Sequence, residues 1–380
     1  MRIRKWALRS WMLPLVAFMV AVTPTLSLAA PSPGNSFVQH NLVSDIPGMA
    51  SYTDPQLVNP WGVAFSGKSP FWVSDNGVGL ATLYNTFGVK QGLVVSIPPP
   101  AGGTSSAPTG QVFNGTSGFG GSHFIFSTED GTISAWSGGT SATLEVDNSG
   151  ATSVYKGLAM ASSGGANYLY ATDFRLGTVS VFDSSFASHT FSASQFTDPS
   201  LPAGYAPFGI QNFGGNLYVT YALQDAAKHD DVACPGCGFV DVYDSSGNLL
   251  GRLISGGALN SPWGMAIAPA GFGPFSGDLL VGNFGNGWIN VFDSSGNWLA
   301  ALDDTTGNPL VIDGLWNIGF GNGGNGGFAN TLYFSAGING EADGLFGGLS
   351  PTPEPGTMTL LGTGLASLIG YGLRKGKRSA

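Results

Sequence analysis

A short phrase built around a glycine and a following apolar run occurs six times along this chain. The successive glycines, with Asn317 in the last copy, are 48, 47, 52, 55 and 53 residues apart. Repeats of this length that consist of strands are typical of arrays in which each unit packs against its neighbours. The fold is therefore constrained to a ring or a stack of six like units. The copies lie at residues 59–65, 107–113, 155–160, 206–210, 261–267 and 314–320.

The remainder of each repeat has the pattern of β-strands. Short runs of apolar, β-branched and aromatic residues are bounded by Gly, Asn and Asp, and residues 178–182 alternate between polar and apolar side chains. Four such runs per repeat are typical of a propeller blade. We predict an all-β fold over residues 37–349, a six-bladed β-propeller of four-stranded antiparallel blades. A linear solenoid is the alternative.

The sixth repeat has no convincing fourth strand, whereas residues 37–43 form a strand pattern that belongs to no repeat. A swap of this N-terminal strand into the last blade ties the two ends of the ring together. It also removes an exposed sheet edge. We therefore predict that residues 37–43 close the ring.

The phrase itself has a physical explanation. Its glycine permits the close backbone packing needed near a crowded axis. Trp61, Trp263 and Trp316 occupy equivalent positions in three copies. Packing between blades is the favoured interpretation, because buried aromatic side chains dominate such interfaces. An aromatic platform for sugar rings at the mouth of the channel is the alternative.

Both ends of the chain are predicted to be hydrophobic helices outside the fold. Residues 1–29 have a basic start, an apolar run at 11–22 and small residues before Ala30, which is typical of a secretory signal peptide. Residues 350–380 contain Pro353, Glu354 and Pro355, then an uncharged segment at 357–373, then a basic cluster. A helix of this segment is just long enough to cross a bilayer. The basic residues after it are expected to stay on the cytoplasmic side, which places the body of the protein, residues 31–356, outside the cytoplasm.

This tail resembles the PEP-CTERM sorting signal of Gram-negative bacteria, whose hallmark is the Pro353-Glu354-Pro355 triplet. The resemblance implies recognition by an exosortase-type processing enzyme and removal of the tail. It also implies delivery to the cell envelope, the cell surface or an extracellular polysaccharide matrix. A simple C-terminal membrane anchor is the alternative, and it orients the protein identically.

The charge of the body restricts its partners. All 23 acidic residues but only six of the 14 basic ones lie between residues 31 and 356, so this body carries a net charge of −17. Such a field repels phosphate backbones. Nucleic acid is therefore not expected as a partner.

One loop, at residues 224–238, concentrates polar side chains between two predicted strands of the fourth repeat. His229, Asp230 and Asp231 combine imidazole and carboxylate, which suit several divalent metals, so they are candidate ligands for a divalent cation. A solvated acidic loop is the favoured alternative. Elsewhere, Glu129 and Asp130 form the one adjacent carboxylate pair that includes a glutamate.

The same loop contains the two cysteines of the chain, Cys234 and Cys237. In an exported protein, this Cys-Pro-Gly-Cys pair is expected to close a small local disulfide. A redox role needs the pair at the start of a helix after a strand, and the sequence does not provide that context.

The body resembles an uncharacterised family of exported bacterial six-bladed propellers that often carry this tail. Its blades are more remotely similar to NHL-type propellers, whose relatives include binding scaffolds, lactonases and lyases. We therefore predict a surface- or matrix-associated binding scaffold whose partners are exopolysaccharide or surface proteins. A divalent-metal-dependent hydrolase or lyase, with its site at the channel mouth, is the alternative. The matching stretches are residues 41–48, 57–62, 228–232, 256–264 and 336–339.

Overall fold

The computed structural model describes residues 34–352. The predicted signal peptide, the Pro353-Glu354-Pro355 motif and the segment 357–373 lie outside these residues. Within residues 34–352, no helix has both the length and the apolar character that a membrane span requires. Strands dominate this part of the chain, and its one α-helical segment, α1 (Ile338–Glu341), is a single irregular turn whose last three residues have positive φ.

The strands form six sheets. The chain enters with β1 (Phe37–Ser44) and β2 (Tyr52–Thr53). Blade one contains β3 (Pro60–Ala64), β4 (Phe71–Asp75), β5 (Leu80–Tyr84) and β6 (Lys90–Ser96). Blade two contains β7 (Pro108–Phe113), β8 (Phe124–Thr128), β9 (Thr132–Trp136) and β10 (Thr143–Asp147). Blade three contains β11 (Tyr155–Ser163), β12 (Ala166–Asp173), β13 (Thr178–Asp183) and β14 (Ser188–His189).

The second half of the ring repeats this arrangement. Blade four contains β15 (Tyr205–Phe213), β16 (Asn216–Leu223), β17 (Phe239–Tyr243) and β18 (Leu249–Ser255). Blade five contains β19 (Pro262–Ile267), β20 (Leu279–Asn283), β21 (Ile289–Phe292) and β22 (Trp298–Ala301). Blade six contains β23 (Leu315–Phe320), β24 (Leu332–Ala336), β25 (Leu345–Pro351) and, as its fourth strand, β1.

The predicted closure of the ring is confirmed. β1 pairs antiparallel with β25, from Phe37 opposite Pro351 to Ser44 opposite Leu345, with one irregularity in the register. β2 adds two parallel pairs at the outer edge of β1. The last blade is therefore built from both ends of the described chain, and the six-bladed propeller with four antiparallel strands per blade is confirmed.

The first strand of each blade lines the central axis and contacts the first strand of the next blade. All six of these strands run in the same direction, because successive blades have the same strand order. Each phrase glycine lies where two of these strands meet. A Cβ atom on Gly264 would lie 2.5 Å from the carbonyl oxygen of Trp316, and one on Gly157 would lie 3.0 Å from the amide nitrogen of Ile210. The predicted need for glycine at these positions is confirmed.

The hydrophobic core lies mainly between adjacent blades. Phe37 of β1 is buried against Phe272 and Phe275 of blade five, at ring centroid distances of 4.8 and 6.5 Å. Between blades six and one, Phe71 packs against Tyr333, with 4.5 Å between their centroids. The closure strand thus contributes both backbone pairing and core packing.

Candidate functional site

The axis is closed at the end where the first strands begin. The residue directly before each phrase glycine, or before Asn317, lies near the start of its strand, and four of the six are aromatic. The rings of Trp61 and Trp316 stack with centroids 3.4 Å apart, and Trp263 lies edge-on to both at 6.1 and 5.8 Å. Phe208 and Phe284 complete this layer at 5.9 and 4.0 Å from Trp316.

These tryptophans are core residues. The exposed fractions of Trp61, Trp263 and Trp316 are 2%, 6% and 2%. A sugar ring needs an open aromatic face, which these side chains do not offer. Packing between blades is therefore the interpretation that the structure favours, and the layer blocks the channel from this side.

The opposite end of the channel opens into a cavity of about 540 Å³. Its lining is mostly backbone and apolar side chains from the ends of the first strands, such as Phe65, Phe113 and Phe320. Gln111 lies within the lining and donates a hydrogen bond to the carbonyl oxygen of Gly62 at 2.7 Å. No acidic, lysine, arginine or histidine side chain lines this cavity. Charged groups gather instead above the aromatic layer.

A buried lysine is the centre of that charged region. Lys156 stands in β11 directly before Gly157, and it is 1% exposed. Its Nζ donates to Glu129 Oε1 and to Asp230 Oδ1, the latter at 3.2 Å. The ammonium also lies 5.0 Å from the centroid of Trp61, which is a cation–π distance.

The two carboxylates that contact Lys156 keep its side chain protonated. Burial lowers the pKa of Lys156, but the negative charges of Glu129 and Asp230 and their hydrogen bonds outweigh it, so its pKa lies above the usual value. The side chain therefore remains a cation throughout the physiological range. It links blades two, three and four by charge.

Amide side chains extend this network to blades one and six. Asn76 Nδ2 donates to Glu129 Oε2 at 2.9 Å, and Asn59 Nδ2 donates to Asn76 Oδ1 at 3.3 Å and to Glu341 Oε1 at 3.1 Å. Trp316 Nε1 donates to Asn59 Oδ1 at 3.2 Å, which joins the network to the aromatic layer. We call the following set the polar mouth: Asn59, Asn76, Glu129, Lys156, His229, Asp230 and Glu341.

Glu341 is a carboxyl group of the polar mouth whose pKa the fold raises. It ends α1 with a φ of 68°, in the left-handed region that a glutamate seldom adopts. Burial, together with repulsion from Glu129, raises the pKa of Glu341 to about 7. This side chain therefore changes charge near neutral pH.

The loop at residues 224–238 connects β16 and β17, as predicted. It brings two of the predicted metal-ligating residues into contact: His229 Nδ1 and Asp230 Oδ1 are 2.9 Å apart. This hydrogen bond lowers the pKa of Asp230, against the effect of burial and with help from Lys156. It also raises the pKa of His229.

Asp231 takes a different position. Its Oδ2 atom is buried and has no hydrogen-bond partner among residues 34–352, and burial raises its pKa. The group of potential ligands that the structure gathers consists of Glu129, His229 and Asp230, whose ligand atoms lie within 4.8 Å of one another. Glu129 was visible in the sequence only as half of a carboxylate pair.

An ion at this group competes with Lys156. The ammonium already contacts both Glu129 and Asp230, so it neutralises the two carboxylates that would bind a divalent cation. The three ligand types suit such a cation. The arrangement as it stands fits a cation only if the lysine side chain moves.

The two cysteines fasten the same loop. Cys234 and Cys237 are joined by a disulfide bond, with their Cα atoms 5.3 Å apart. The carbonyl oxygen of Cys237 accepts a hydrogen bond from the amide of Ser261 at 3.0 Å, and the amide of Gly236 donates to Leu259 at 2.9 Å. The bonded turn is thereby tied to blade five.

Several residues of the polar mouth were not predicted, namely Asn59, Asn76, Lys156 and Glu341. Lys156 carried a signal, because it occupies the position that a tryptophan takes in three other repeats. A charged residue in the place of a core aromatic indicates a special contact. Glu341 gave a weaker signal as one of only four glutamates, at residues 129, 145, 341 and 354.

Comparisons with known proteins agree with this architecture. Residues 351–378 match the PEP-CTERM protein-sorting motif, which indicates export, surface sorting in bacteria and processing by an exosortase-type enzyme. A solved streptogramin B lyase is similar in fold, with a TM-score of 0.51 and 12% identity over 84% of this chain and 100% of that one. At this identity the likeness concerns the fold alone.

Two proteins of Acanthamoeba polyphaga mimivirus are similar in sequence. Uncharacterized protein L690 is 34% identical, over 81% of this chain and 84% of its own. Uncharacterized protein R648 is 31% identical, over 81% of this chain and 78% of its own. This six-bladed β-propeller chain belongs to the protein family of L690 and R648.

Proposed function

We propose that this protein is a surface- or matrix-associated binding propeller whose polar mouth contacts its partner. Before processing, the segment 357–373 attaches the protein to the membrane, and the exosortase-type enzyme then removes the tail. The observation that carries the proposal is the convergence of five blades on one polar network, above an axis that the aromatic layer closes. Such a rigid ring presents loop side chains in fixed positions, which lowers the entropic cost of binding.

Charge narrows the class of partner. The net charge of −17 between residues 31 and 356 disfavours anionic polymers. The carboxylate, amide and imidazole groups of the polar mouth can bind the hydroxyl groups of a neutral polysaccharide or the ammonium groups of an amino sugar. We therefore propose a neutral or amino-bearing polysaccharide of the cell surface or matrix as the partner.

Affinity electrophoresis in gels containing such polysaccharides tests this proposal. The full chain is compared with Asn76→Ala and His229→Ala, which change half-buried side chains of the polar mouth, and with the control His123→Ala, which changes an exposed histidine of blade two. We expect the two polar-mouth variants to raise the dissociation constant about tenfold, the effect of losing one or two hydrogen bonds to the ligand. Equal retardation of all three variants would contradict the proposal.

A divalent-metal-dependent hydrolase or lyase, lactonase-like, is the second candidate function. The proximity of Glu129, His229 and Asp230 favours it, and Asp231 follows directly in the same loop. Lys156 argues against it, because its ammonium occupies the two carboxylates. Calorimetry of the full chain with Mg²⁺, Ca²⁺, Mn²⁺ and Zn²⁺ decides between the two. If an ion binds to the full chain but not to His229→Ala, the result supports the enzyme. If none of the four ions gives a heat of binding, the metal-dependent enzyme is excluded.

A further inference from the structure

A groove of about 520 Å³ lies beside the seam where blades six and one meet. Residues of β1 and β25 form one wall, and the turn after β5 and the loop before β24 form the other. We call it the seam groove, and its lining contains His40, Leu42, Ser51, Tyr52, Thr86, Phe87, Phe328, Thr331, Tyr333, Gly348 and Ser350.

The seam groove exposes aromatic side chains. Phe87 is 62% exposed and Phe328 is 52% exposed, and their rings meet edge to face at 5.9 Å. Tyr52 and the neighbouring Val89 are also exposed, at 44% and 38%. Phenylalanine is among the residues most often buried, so a cluster of this kind on a monomer indicates a contact surface.

The lining of the seam groove contains no carboxylate, ammonium or guanidinium group. This contrasts with the strongly acidic surface that the net charge of the body implies. An acidic protein is repelled by a bilayer that contains anionic lipids. An uncharged patch is therefore the part of its surface that can approach such a bilayer at the lowest electrostatic cost.

The chain places this patch next to its own membrane segment. Ser350 lines the groove, Pro351 pairs with Phe37, and the amide of Thr352 donates to Ser36 at 2.8 Å. The uncharged segment begins at Thr357, so a fully extended chain from Thr352 spans at most about 17 Å. A bilayer that holds the segment 357–373 must therefore lie within that distance of the seam.

The directions of the strands show on which face of the ring the described chain ends. β23 begins at the polar mouth, β24 returns towards it, and β25 runs away from it to Pro351. The sorting motif therefore leaves the ring on the face opposite the polar mouth.

We propose that the seam groove rests on the lipid surface while the segment 357–373 is inserted, with Phe87 and Phe328 at the level of the lipid headgroups. Exposed phenylalanine side chains bury apolar surface at the boundary between the headgroups and the acyl chains, as they do on interfacial amphipathic helices. The inference rests on the membrane attachment stated in the proposed function, but not on its ligand. It orients the propeller with the polar mouth outward, so partner binding and membrane attachment use opposite faces.

Quenching of a fluorescent label tests the orientation. The full chain is reconstituted into phosphatidylcholine–phosphatidylglycerol vesicles that carry a nitroxide on the headgroup. An environment-sensitive fluorophore is attached, under non-reducing conditions, to the cysteine introduced by Val89→Cys beside the groove. The control carries it at Leu176→Cys, an exposed position between β12 and β13 on the face of the polar mouth. We expect quenching at least about twofold greater at position 89, because only that face meets the headgroups.

A second comparison isolates the aromatic pair. Adding Phe87→Ser and Phe328→Ser to Val89→Cys changes only exposed side chains, so the fold is retained. We expect the quenching at position 89 to fall by about half, because two interfacial anchors are lost. Equal quenching at positions 89 and 176, or unchanged quenching without the two aromatics, overturns the inference. A full chain that does not float with the vesicles also overturns it, whereas polysaccharide binding at the polar mouth is then unaffected.

Discussion

Replacing Lys156 by methionine removes the charge that holds the polar mouth together and keeps most of the volume of the side chain. Two ion pairs are lost. Glu129 is 14% exposed, so it becomes a nearly buried carboxylate without a cation, whereas Asp230 is 65% exposed and is readily solvated. The cation–π contact with Trp61 is lost as well, although a thioether still packs on the ring.

The size of the effect follows from these exposures. Breaking a buried ion pair costs about 3–5 kcal/mol, while an exposed pair contributes about 0–1 kcal/mol. Relief from burying the ammonium of Lys156, which by itself lowers its pKa, offsets part of the loss. We therefore expect Lys156→Met to reduce the free energy of unfolding by about 2–4 kcal/mol at pH 8.

Urea unfolding of the full chain, followed by tryptophan fluorescence, measures this change. Lys68→Met is the matched control, because Lys68 is exposed and makes no ion pair among residues 34–352. We expect the control to change the free energy by less than about 0.5 kcal/mol. If Lys156→Met and Lys68→Met unfold at the same urea concentration, the ion pairs of Lys156 do not stabilise the ring and the reasoning is wrong.

Three further changes test other parts of the structure. Phe37→Ala should lower the free energy of unfolding in urea by about 3–5 kcal/mol, because Phe37 of blade six is buried against blade five, whereas His40→Ala, which changes an exposed residue of the same strand, should lower it little. Glu341→Gln should raise the melting temperature at pH 8 but not at pH 4. The fold raises the pKa of Glu341 from 4.5 to about 7, so the charged carboxylate destabilises the fold increasingly as the pH rises between these two values. Equal changes in melting temperature at both pH values would contradict this. Gly264→Ala should lower the melting temperature by crowding the next blade, and Gly251→Ala, which has open space, should not; similar values would refute the packing argument.

The fold could be predicted because every repeat contains the local sequence pattern of a four-stranded blade. The phrase glycines mark the crowded first strands, and Gly, Asn and Asp end the strands of each blade. Residues 37–43 could be assigned to the last blade, because the sixth repeat contained only three strand patterns. The six repeats thus indicate the same architecture, and a sequence specifies a fold when its local patterns agree in this way.

The polar mouth could not be predicted in the same way. Asn59 and Glu341 are 282 residues apart in sequence, and Lys156 and Asp230 are 74 apart, so only the closed ring brings them together. Adjacency in sequence was a poor guide as well. Asp231 follows Asp230 directly, yet its carboxylate lies outside the group that His229 and Asp230 form with Glu129.

The way in which the ring closes also decides which face carries the tail. Because β1 supplies the fourth strand of blade six, the C-terminal tail follows the third strand, β25, and leaves opposite the polar mouth. A ring closed by a C-terminal fourth strand would release the tail at the face of the polar mouth, since successive strands run in opposite directions. The membrane would then lie against the loops that we propose to bind a partner. N-terminal closure therefore separates the tail from the polar mouth, which agrees with the membrane attachment and the partner binding that we propose.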